Sequence, residues 1–372
     1  MRILPVPAQP DQGTPPTVNP QSTPPVPPPS LPVRKVLTMK KPFRAGEYAI
    51  EKFIQSVAII SLVLIGLIFV FVFREAYPLF TGKVLAAAPQ AQVEEAETYG
   101  VDPGAPDIVE APELEQNQEN FKPSSLVGPS WQPVSLDPKF GLWSLLAGSL
   151  KVTLIALLIA GPVGIFAALY TSNFAPKWAR EGMKPAIEIL AGFPSVVVGF
   201  FALVIMASLL QNIFGFQYRL NAFVGGVAMA LVVVPIVYTV SEDALNAVPK
   251  VMMEASLALG ATRWETALFV ILPSATPGIF AAMILGFGRA FGETMIVLMA
   301  TGNAALLTAS LTDPVRTLSA TIGAEMAEVV FGDTHYRVLF FVGALLFMIS
   351  FSLNAVAEFF VRNRLMKKFK GA

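Results

Sequence analysis

Long uncharged apolar runs dominate the pattern of hydrophobic and polar positions along the chain. The first run extends from Phe53 to Phe73, between Lys52 and Arg74. In a helix that rises about 1.5 Å per residue, a run of about 20 residues crosses the roughly 30 Å of hydrocarbon in a membrane. Five further runs of this kind are found at about residues 143–170, 186–211, 221–240, 278–300 and 338–360. The pattern therefore predicts an all-α membrane protein with six transmembrane helices.

The segments that flank these runs differ in composition. Residues 1–45 are first rich in proline and then basic. Such a stretch cannot bury enough apolar surface to become ordered, so we predict a disordered tail. Residues 75–141 are acidic and are predicted to form a large loop between the first helix, at 46–74, and a membrane domain at 142–361. The last segment, 362–372, is a second basic tail.

Lysine and arginine residues indicate which segments face the cytoplasm, because cytoplasmic loops of membrane proteins carry an excess of positive charge. The segment before the first run, the loop after the second run and the C-terminal tail are all basic. With six helices these three segments lie on the same side of the membrane. Both termini and the loop at 241–277 are therefore predicted to be cytoplasmic, and the acidic loop at 75–141 is predicted to lie outside.

Composition narrows the classes of function. The chain is 54% hydrophobic and 14% charged and has a net charge of zero, so nothing indicates a nucleic-acid partner. It has no cysteine and a single histidine, which argues against disulfides, thiolate or histidine metal sites and a Ser-His-Asp triad. The sequence also lacks the Gly-x-x-x-x-Gly-Lys-Ser/Thr motif that binds ATP phosphates. We therefore predict no catalytic residues, no metal and no cofactor.

The loop at 241–277 contains a predicted helical hairpin. Pro249 can begin a helix, since its missing N–H is not needed in the first turn. Gly260 is a natural residue to end that helix. Thr262 and Glu265 have the spacing of a capping box at the start of a second helix. Taken alone, this hairpin could be an inert connector between two membrane helices.

The residues of the hairpin resemble the EAA loop of ABC importer permeases. That loop has a Glu-Ala-Ala group, a glycine after three residues, and after nine more a short apolar group that ends in Leu-Pro. The corresponding residues here are Glu254, Ala255, Ser256, Gly260, Leu272 and Pro273. The resemblance implies that the hairpin seats a short helix in a groove of a separate ATP-hydrolysing subunit. We expect Pro273 to end the second helix of the hairpin.

Two further segments are similar to the phosphate permeases of this family. Residues 188–199 resemble their third membrane helix, and residues 289–303 resemble the C-type subunit, PstC. The resemblance extends over about residues 142–362 and implies a type I ABC importer permease with a MetI-like core. It further implies a second homologous permease subunit, two ATP-binding subunits and an extracytoplasmic phosphate-binding protein, assembled in the inner membrane of a bacterium.

Arg289 and Glu293 are charged residues inside the predicted fifth helix. If this helix begins near Gly278, Arg289 lies roughly 16 Å within the membrane, where a lone arginine costs about 2.5–3.5 kcal/mol. Glu293 follows at i+4, where the two side chains can pair. A guanidinium offers phosphate two parallel donors, and a carboxylate can accept a hydrogen bond from protonated phosphate. We predict a substrate path at Arg289, Glu293 and Thr294; a pair that only joins helices is the alternative.

Several other positions have two interpretations. Lys151, in the second helix, could extend its ammonium outward to the interface or add positive potential at the mouth of the path. Gly192 and Pro194 interrupt the third helix, either at a cavity or moving joint or as a static kink. His335 is expected to be a solvated residue of the last outer loop. Glu325 and Glu328 share a helix face in that loop and are expected either to be solvated or to contact a docking protein.

Together these features favour the permease subunit of an ATP-driven importer for inorganic phosphate, surrounded by membrane lipid. The nearest alternative is the same machine carrying another oxyanion, such as sulfate or molybdate. An ion channel or a membrane assembly factor would not need the capped hairpin. An intramembrane enzyme is a weaker alternative still, since no nucleophile–base pair is visible in the sequence.

Overall fold

A computed structural model of the chain describes residues 45–81, 121–135 and 137–360. The predictions for the proline-rich and basic N-terminal tail, for most of the acidic loop and for the basic C-terminal tail fall outside these residues. Contacts divide the chain into two units, residues 1–59 and 60–372. The described part of the first unit is the N-terminal part of one helix, and the second unit contains all the other elements.

Thirteen α-helices are present in the described residues, and we number them in chain order. They are α1 Ala45–Ala76, α2 Pro78–Thr81, α3 Trp143–Asn173, α4 Lys177–Ala191, α5 Ser195–Phe201, α6 Ala207–Phe214, α7 Ala222–Asn246, α8 Lys250–Ala258, α9 Arg263–Thr266, α10 Leu272–Phe291, α11 Met295–Ala300, α12 Leu318–Glu325 and α13 Thr334–Phe360. A 3₁₀ helix, Pro123–Val127, precedes two short antiparallel strands, β1 Trp131–Gln132 and β2 Lys139–Phe140.

Six helical segments among the described residues are long and apolar enough to cross a membrane, as the hydropathy pattern predicts. They are Tyr48–Thr81, Trp143–Asn173, Ser195–Phe214, Ala222–Asn246, Arg263–Phe291 and Thr334–Ala355. Two of these segments contain a wider π-helical turn, at Ala202–Met206 and at Ala267–Ile271. The chain is thus an all-α membrane protein whose spans are not all regular helices.

The third span begins later than the apolar pattern predicts. The pattern places its start at about residue 186, but α4 ends at Ala191 and α5 begins at Ser195. Pro194 precedes α5 with φ −57° and ψ 132°, outside the helical region. Proline also disfavours the helical conformation in the residue before it. Hydropathy misses this break because no charged residue lies between Glu188 and Arg219 to mark it.

The fifth span differs in both of its bounds. It is predicted at 278–300, but it begins at Arg263 and ends at Phe291. The expectation that Pro273 ends a helix is wrong, because α10 continues through it. The backbone N–H of Leu272 already donates to the carbonyl of Ala267, five residues back, so the hydrogen-bond pattern has widened before the proline. The connecting loop is correspondingly shorter than the predicted 241–277.

Helices α3, α7 and α10 pack closely in the core of the second unit. Small residues allow this approach, as is usual where membrane helices meet. A Cβ on Gly164 of α3 would lie 3.0 Å from Val237 of α7, and one on Gly286 of α10 would lie 3.0 Å from the same valine. A methyl group added at either glycine would therefore require Val237 to shift by a few tenths of an ångström.

The second unit has two ends of different character. The loop between α7 and α9, which contains α8, lies at one end, which we call the hairpin end. The two strands, the segment from 301 to 317 and α12 lie at the other, which we call the loop end. Trp131 and Phe140 of the strands are buried there in one cluster with Leu318 of α12 and Leu339 of α13.

Candidate functional site

The charged pair Arg289–Glu293 lies at a break between two helices. Arg289 is in the last turn of α10, which ends at Phe291, and α11 begins at Met295. Arg289 Nη1 donates to Glu293 Oε2 over 2.6 Å. The Glu293 side chain is only 5% exposed, whereas that of Arg289 is 45% exposed. The guanidinium can therefore hold its carboxylate partner and still present donors to a second anion.

The pair lies at a different position in its helix from the one that the sequence predicts. The sequence argument places Arg289 near the middle of a continuous helix that begins near Gly278. The structure places it near the C-terminal end of a helix that begins at Arg263, so the depth derived from Gly278 is wrong. A cation in the last turn of α10 also interacts favourably with the negative end of the helix dipole. Glu293 and Thr294 lie in the irregular segment that follows.

The broken third span contacts the helix that follows this site. Gly199 of α5 lies against α11, where an added Cβ would be 3.1 Å from the carbonyl oxygen of Met295 and 3.2 Å from Cα of Ile296. The break at Gly192 and Pro194 immediately precedes α5. The structure therefore brings α5, which follows the break at Pro194, against α11, which follows the break after Phe291, although the predicted role of Gly192 and Pro194 as a moving joint stays a prediction.

Lys151 makes its contacts with the loop end. Its ammonium donates to the backbone carbonyls of Thr308, over 2.6 Å, and of Ser310, over 2.8 Å. These bonds fasten the segment 301–317 to α3. Neither bond involves Arg289 or Glu293, so these contacts do not join the three charges in one group. A part for Lys151 in the substrate path stays a prediction.

The hairpin has the local geometry that its sequence predicts. Gly260 has φ +90°, a left-handed conformation that glycine adopts without a Cβ clash. Thr262 and Glu265 form the capping box, with the Thr262 side chain accepting from the Glu265 N–H and the carboxylate accepting from the Thr262 N–H. Ser256, the departure from Glu-Ala-Ala, is 2.9 Å from the Thr266 hydroxyl and so ties α8 to α9.

Helix α8 has no buried residue. Val251 is 72% exposed, and Leu259, which follows the helix, is 91% exposed. Glu254 and Ala255 are exposed on the same short helix, while Leu272 is partly buried at the start of α10. Large apolar side chains left on the surface in this way indicate a surface that another protein covers.

A buried carboxylate at the hairpin end was not predicted from the sequence. Glu242, near the end of α7, has a side chain that is 3% exposed and pairs with Lys184 of α4 over 2.8 Å. Asn246 also donates to it, over 3.0 Å. The bond to Glu242 raises the pKa of Lys184 above its ordinary value. The predicted fourth run ends at residue 240, so Glu242 falls in the predicted loop beside Asp243, and nothing in the sequence identifies its partner in another helix.

The loop end contains a second group of charges, and the expectation that Glu325 and His335 are solvated is wrong. The Glu325 side chain is 13% exposed, as is that of His335, whose Nε2 lies 2.9 Å from Glu325 Oε2. Trp131 Nε1 donates to both Glu325 oxygens over 3.1 Å. Arg316 forms an ion pair with the same carboxylate. We call these four residues the Glu325 cluster.

The environment keeps Glu325 ionised. Burial on its own raises the pKa of the Glu325 carboxyl, but hydrogen bonds from His335 and Trp131, with the charge of Arg316, outweigh burial and hold the pKa below its ordinary value. Nothing local in the sequence could reveal the cluster, because Trp131 and Glu325 are 194 residues apart. Within the described parts of the chain, no group of three or more His, Cys, Asp or Glu residues could hold a metal ion.

Comparisons with known proteins agree with the predicted type of membrane domain. A family model described as "Binding-protein-dependent transport system inner membrane component" matches residues 160–364, more than half of the chain. The Bacillus subtilis protein "Probable ABC transporter permease protein YqgH" is 35% identical over 222 residues, which are 60% of this chain and 72% of that one.

A second relative, "Phosphate transport system permease protein PstC" of Mesorhizobium japonicum, is 32% identical over 263 residues, covering 66% of this chain and 80% of the relative. Among solved structures, a chain of the MetNI methionine ABC transporter in an inward-facing conformation is 23% identical, with a TM-score of 0.45, and the match covers 60% of this chain and 93% of that one.

Proposed function

We infer that this chain, which belongs to the family of binding-protein-dependent transport system inner membrane components, is a permease subunit of an ATP-driven importer for inorganic phosphate. Membership in the family makes it a multi-pass inner-membrane transport protein rather than an enzyme. Phosphate as the substrate is our proposal. It is supported by the names of the PstC relatives, which are phosphate transport permeases, and by the chemistry of the Arg289–Glu293 pair.

The pair carries the proposal because its two members are exposed to different extents. Glu293 is buried and holds Arg289 by one short bond, while nearly half of the Arg289 side chain is open. An incoming phosphate can occupy the donors of Arg289 that face away from Glu293, with the two parallel N–H groups that a tetrahedral oxyanion favours. The Glu293 carboxylate can accept a hydrogen bond from protonated phosphate, which fully ionised sulfate cannot offer.

Energy coupling is assigned to the hairpin end. We propose that α8 docks on an ATP-binding subunit, with Glu254 and Ala255 on its surface and Gly260, Leu272 and Pro273 holding its orientation to α10. Hydrolysis then takes place in that separate subunit. Because α9 and α10 form one helical segment with the intervening turn, displacement of the hairpin reaches Arg289 along a single element.

We also propose an orientation and a set of partners that agree with this assignment. The hairpin end and both termini lie in the cytoplasm, and the loop end faces outward. A second homologous permease subunit completes the path, two ATP-binding subunits occupy the cytoplasmic side, and an extracytoplasmic phosphate-binding protein delivers the substrate.

The proposal is tested by uptake of radiolabelled phosphate in cells that carry the complete transporter. Arg289→Gln should abolish uptake while the complex assembles in normal yield, because a neutral amide offers no charge to a desolvated anion. Arg219→Gln is the matched control, since Arg219 is an exposed arginine that donates to the Ser208 hydroxyl. Excess unlabelled phosphate should compete in the wild type, and sulfate or molybdate should not. Wild-type uptake by assembled Arg289→Gln would refute the proposal, and competition by sulfate would move it to another oxyanion.

A further inference from the structure

We propose that α12 is a positioning element for the Arg289–Glu293 pair: it joins the Glu325 cluster at the loop end to the backbone of Glu293, so that the position of the cluster determines where the Glu293 carboxylate lies. The inference rests on the proposed function, because it concerns the same substrate path. It assigns a part in transport to Ser319, Gly323 and Glu325, which are far from α10 in sequence.

One side of α12 lies directly on the break between α10 and α11. The Ser319 hydroxyl donates to the backbone carbonyl of Glu293 over 2.5 Å, and both residues are buried. One turn further on, Gly323 lies so close to Thr294 that an added Cβ would be 2.6 Å from the Thr294 Cγ2. Because the Glu293 side chain is itself buried, a shift of its backbone must move the carboxylate.

The start of α12 is fixed on α3. The backbone N–H of Leu318 donates to the Ser149 hydroxyl over 2.9 Å. Gly148 of α3 lies against the backbone carbonyl of Arg316, and the close approach leaves no room for a Cβ. Thr317 caps the helix by accepting from the Ala320 N–H. These contacts fix residues 316–318 on α3, so α12 can pivot about its start, and the pivot carries both Ser319 and Glu325 with it.

The C-terminal end of α12 lies in the Glu325 cluster. Glu325 is the last residue of α12, and its carboxylate is bound by groups from three other parts of the fold. These are the Trp131 indole of β1, the Arg316 guanidinium of the preceding segment and the His335 imidazole of α13. At about 1.5 Å per residue, roughly 9 Å of helix separate Glu325 from Ser319.

This arrangement connects the outer surface to the pair by short polar contacts. Trp131 belongs to the β1–β2 hairpin at the loop end, the face on which we place the binding protein. When the β1–β2 strand pair is displaced, Trp131 pulls on Glu325 and α12 tilts. The Ser319 hydroxyl then moves together with the Glu293 carbonyl. A helix that only fills space at the loop end would show no energetic link between Glu325 and Ser319, and this difference can be measured.

The first test is a double-mutant cycle on phosphate uptake by the complete transporter. Ser319→Ala removes the bond to Glu293, and Glu325→Gln removes the charge from the cluster. Each should raise the apparent KM for phosphate at least five-fold with normal complex yield. The double variant should be no worse than the more severe single variant, because both changes break one line of contact. If Glu325→Gln lowers complex yield, Trp131→Phe takes its place, since it removes only the indole donor from the carboxylate.

The second test is steric. Gly323→Ala should reduce uptake at least five-fold relative to wild type, because the added Cβ pushes on Thr294. Thr294→Ser lacks the opposing methyl, so adding Gly323→Ala to it should change uptake less than two-fold relative to Thr294→Ser alone. Gly343→Ala in α13 is the matched control, because its added Cβ would lie 3.8 Å from Ile322 Cδ1, an ordinary contact. It should leave uptake within two-fold of wild type.

Multiplicative effects of Ser319→Ala and Glu325→Gln would overturn the inference, as would wild-type uptake in both, or an equal loss from Gly323→Ala in the Thr294→Ser background. These outcomes differ from failure of the proposed function. If Arg289→Gln abolishes uptake while the α12 variants behave independently, only the positioning role of α12 is lost.

Discussion

Substitution of Gly260 by valine should separate the hairpin from its ATP-binding partner without a steric clash. Gly260 has φ +90°, and no atom lies within 4 Å of the position that a Cβ would occupy. Any effect of Gly260→Val must therefore come from backbone conformation. A β-branched residue is strongly disfavoured at positive φ.

The magnitude follows from this conformational cost. Holding a residue other than glycine in a sparsely populated region costs about 1–3 kcal/mol, and a value near 2 kcal/mol corresponds to a roughly 30-fold fall in the equilibrium constant for forming the native turn. Ser256 and Thr266, which join α8 to α9, would then lose their 2.9 Å contact. We expect co-purification of the ATP-binding subunit and phosphate uptake to fall by about the same factor, roughly 10- to 30-fold, with normal insertion of the permease.

Two variants control this experiment. Gly260→Asn should have a much smaller effect, because asparagine tolerates left-handed conformations. Gly215→Val introduces the same strain at the loop end, since Gly215 has φ +69° and a Cβ at this position would likewise meet no atom within 4 Å. It should retain the ATP-binding subunit. Normal association of Gly260→Val, or an equal loss of association in Gly215→Val, would refute the reasoning.

Two further predictions concern the buried carboxylate and the orientation of the chain. Lys184→Met should destabilise the purified complex by about 2 kcal/mol, because it leaves Glu242 buried without its partner; the loss is smaller than for a fully buried pair, since Lys184 is 44% exposed. Adding Glu242→Gln should recover most of this stability in a thermal unfolding measurement. No recovery would contradict the pairing. Because the chain has no cysteine, Val134→Cys should react with an impermeant maleimide in intact cells and Lys250→Cys only after lysis, whereas labelling of Lys250→Cys from outside would reverse the proposed topology.

The sequence predicts those parts of the fold that depend on neighbouring residues. Six apolar runs give six candidate spans, and the spacing of Thr262 and Glu265 gives a capping box that the structure confirms. The i, i+4 spacing of Arg289 and Glu293 likewise predicts their contact. The capping box and the charged pair are determined within about one turn of helix, and each span within one continuous run of sequence, where side-chain reach and hydropathy are sufficient.

Other features depend on which distant segments meet, and hydropathy contains no information about that. The partner of Glu242 is Lys184, on another helix, and Trp131 reaches Glu325 across 194 residues. The predicted start of the fifth span was also wrong, because a π-helical turn lets the helix continue through Pro273. A proline is normally a reason to end a helix, so the compensation is visible only in the hydrogen bonds of the folded chain.

The position of the charged pair at a helix break has a physical reason that favours a transport site over a simple brace. A charge inside a membrane is costly, and so are backbone groups left without helical hydrogen bonds. Arg289 and Glu293 place two charges at the end of α10, where the regular helix stops, and α11 lies beside α5, which follows a second break at Pro194. A brace between helices needs neither break. A path that admits water and an anion satisfies the charged pair, and membrane proteins retain irregular backbone where it lines such a cavity.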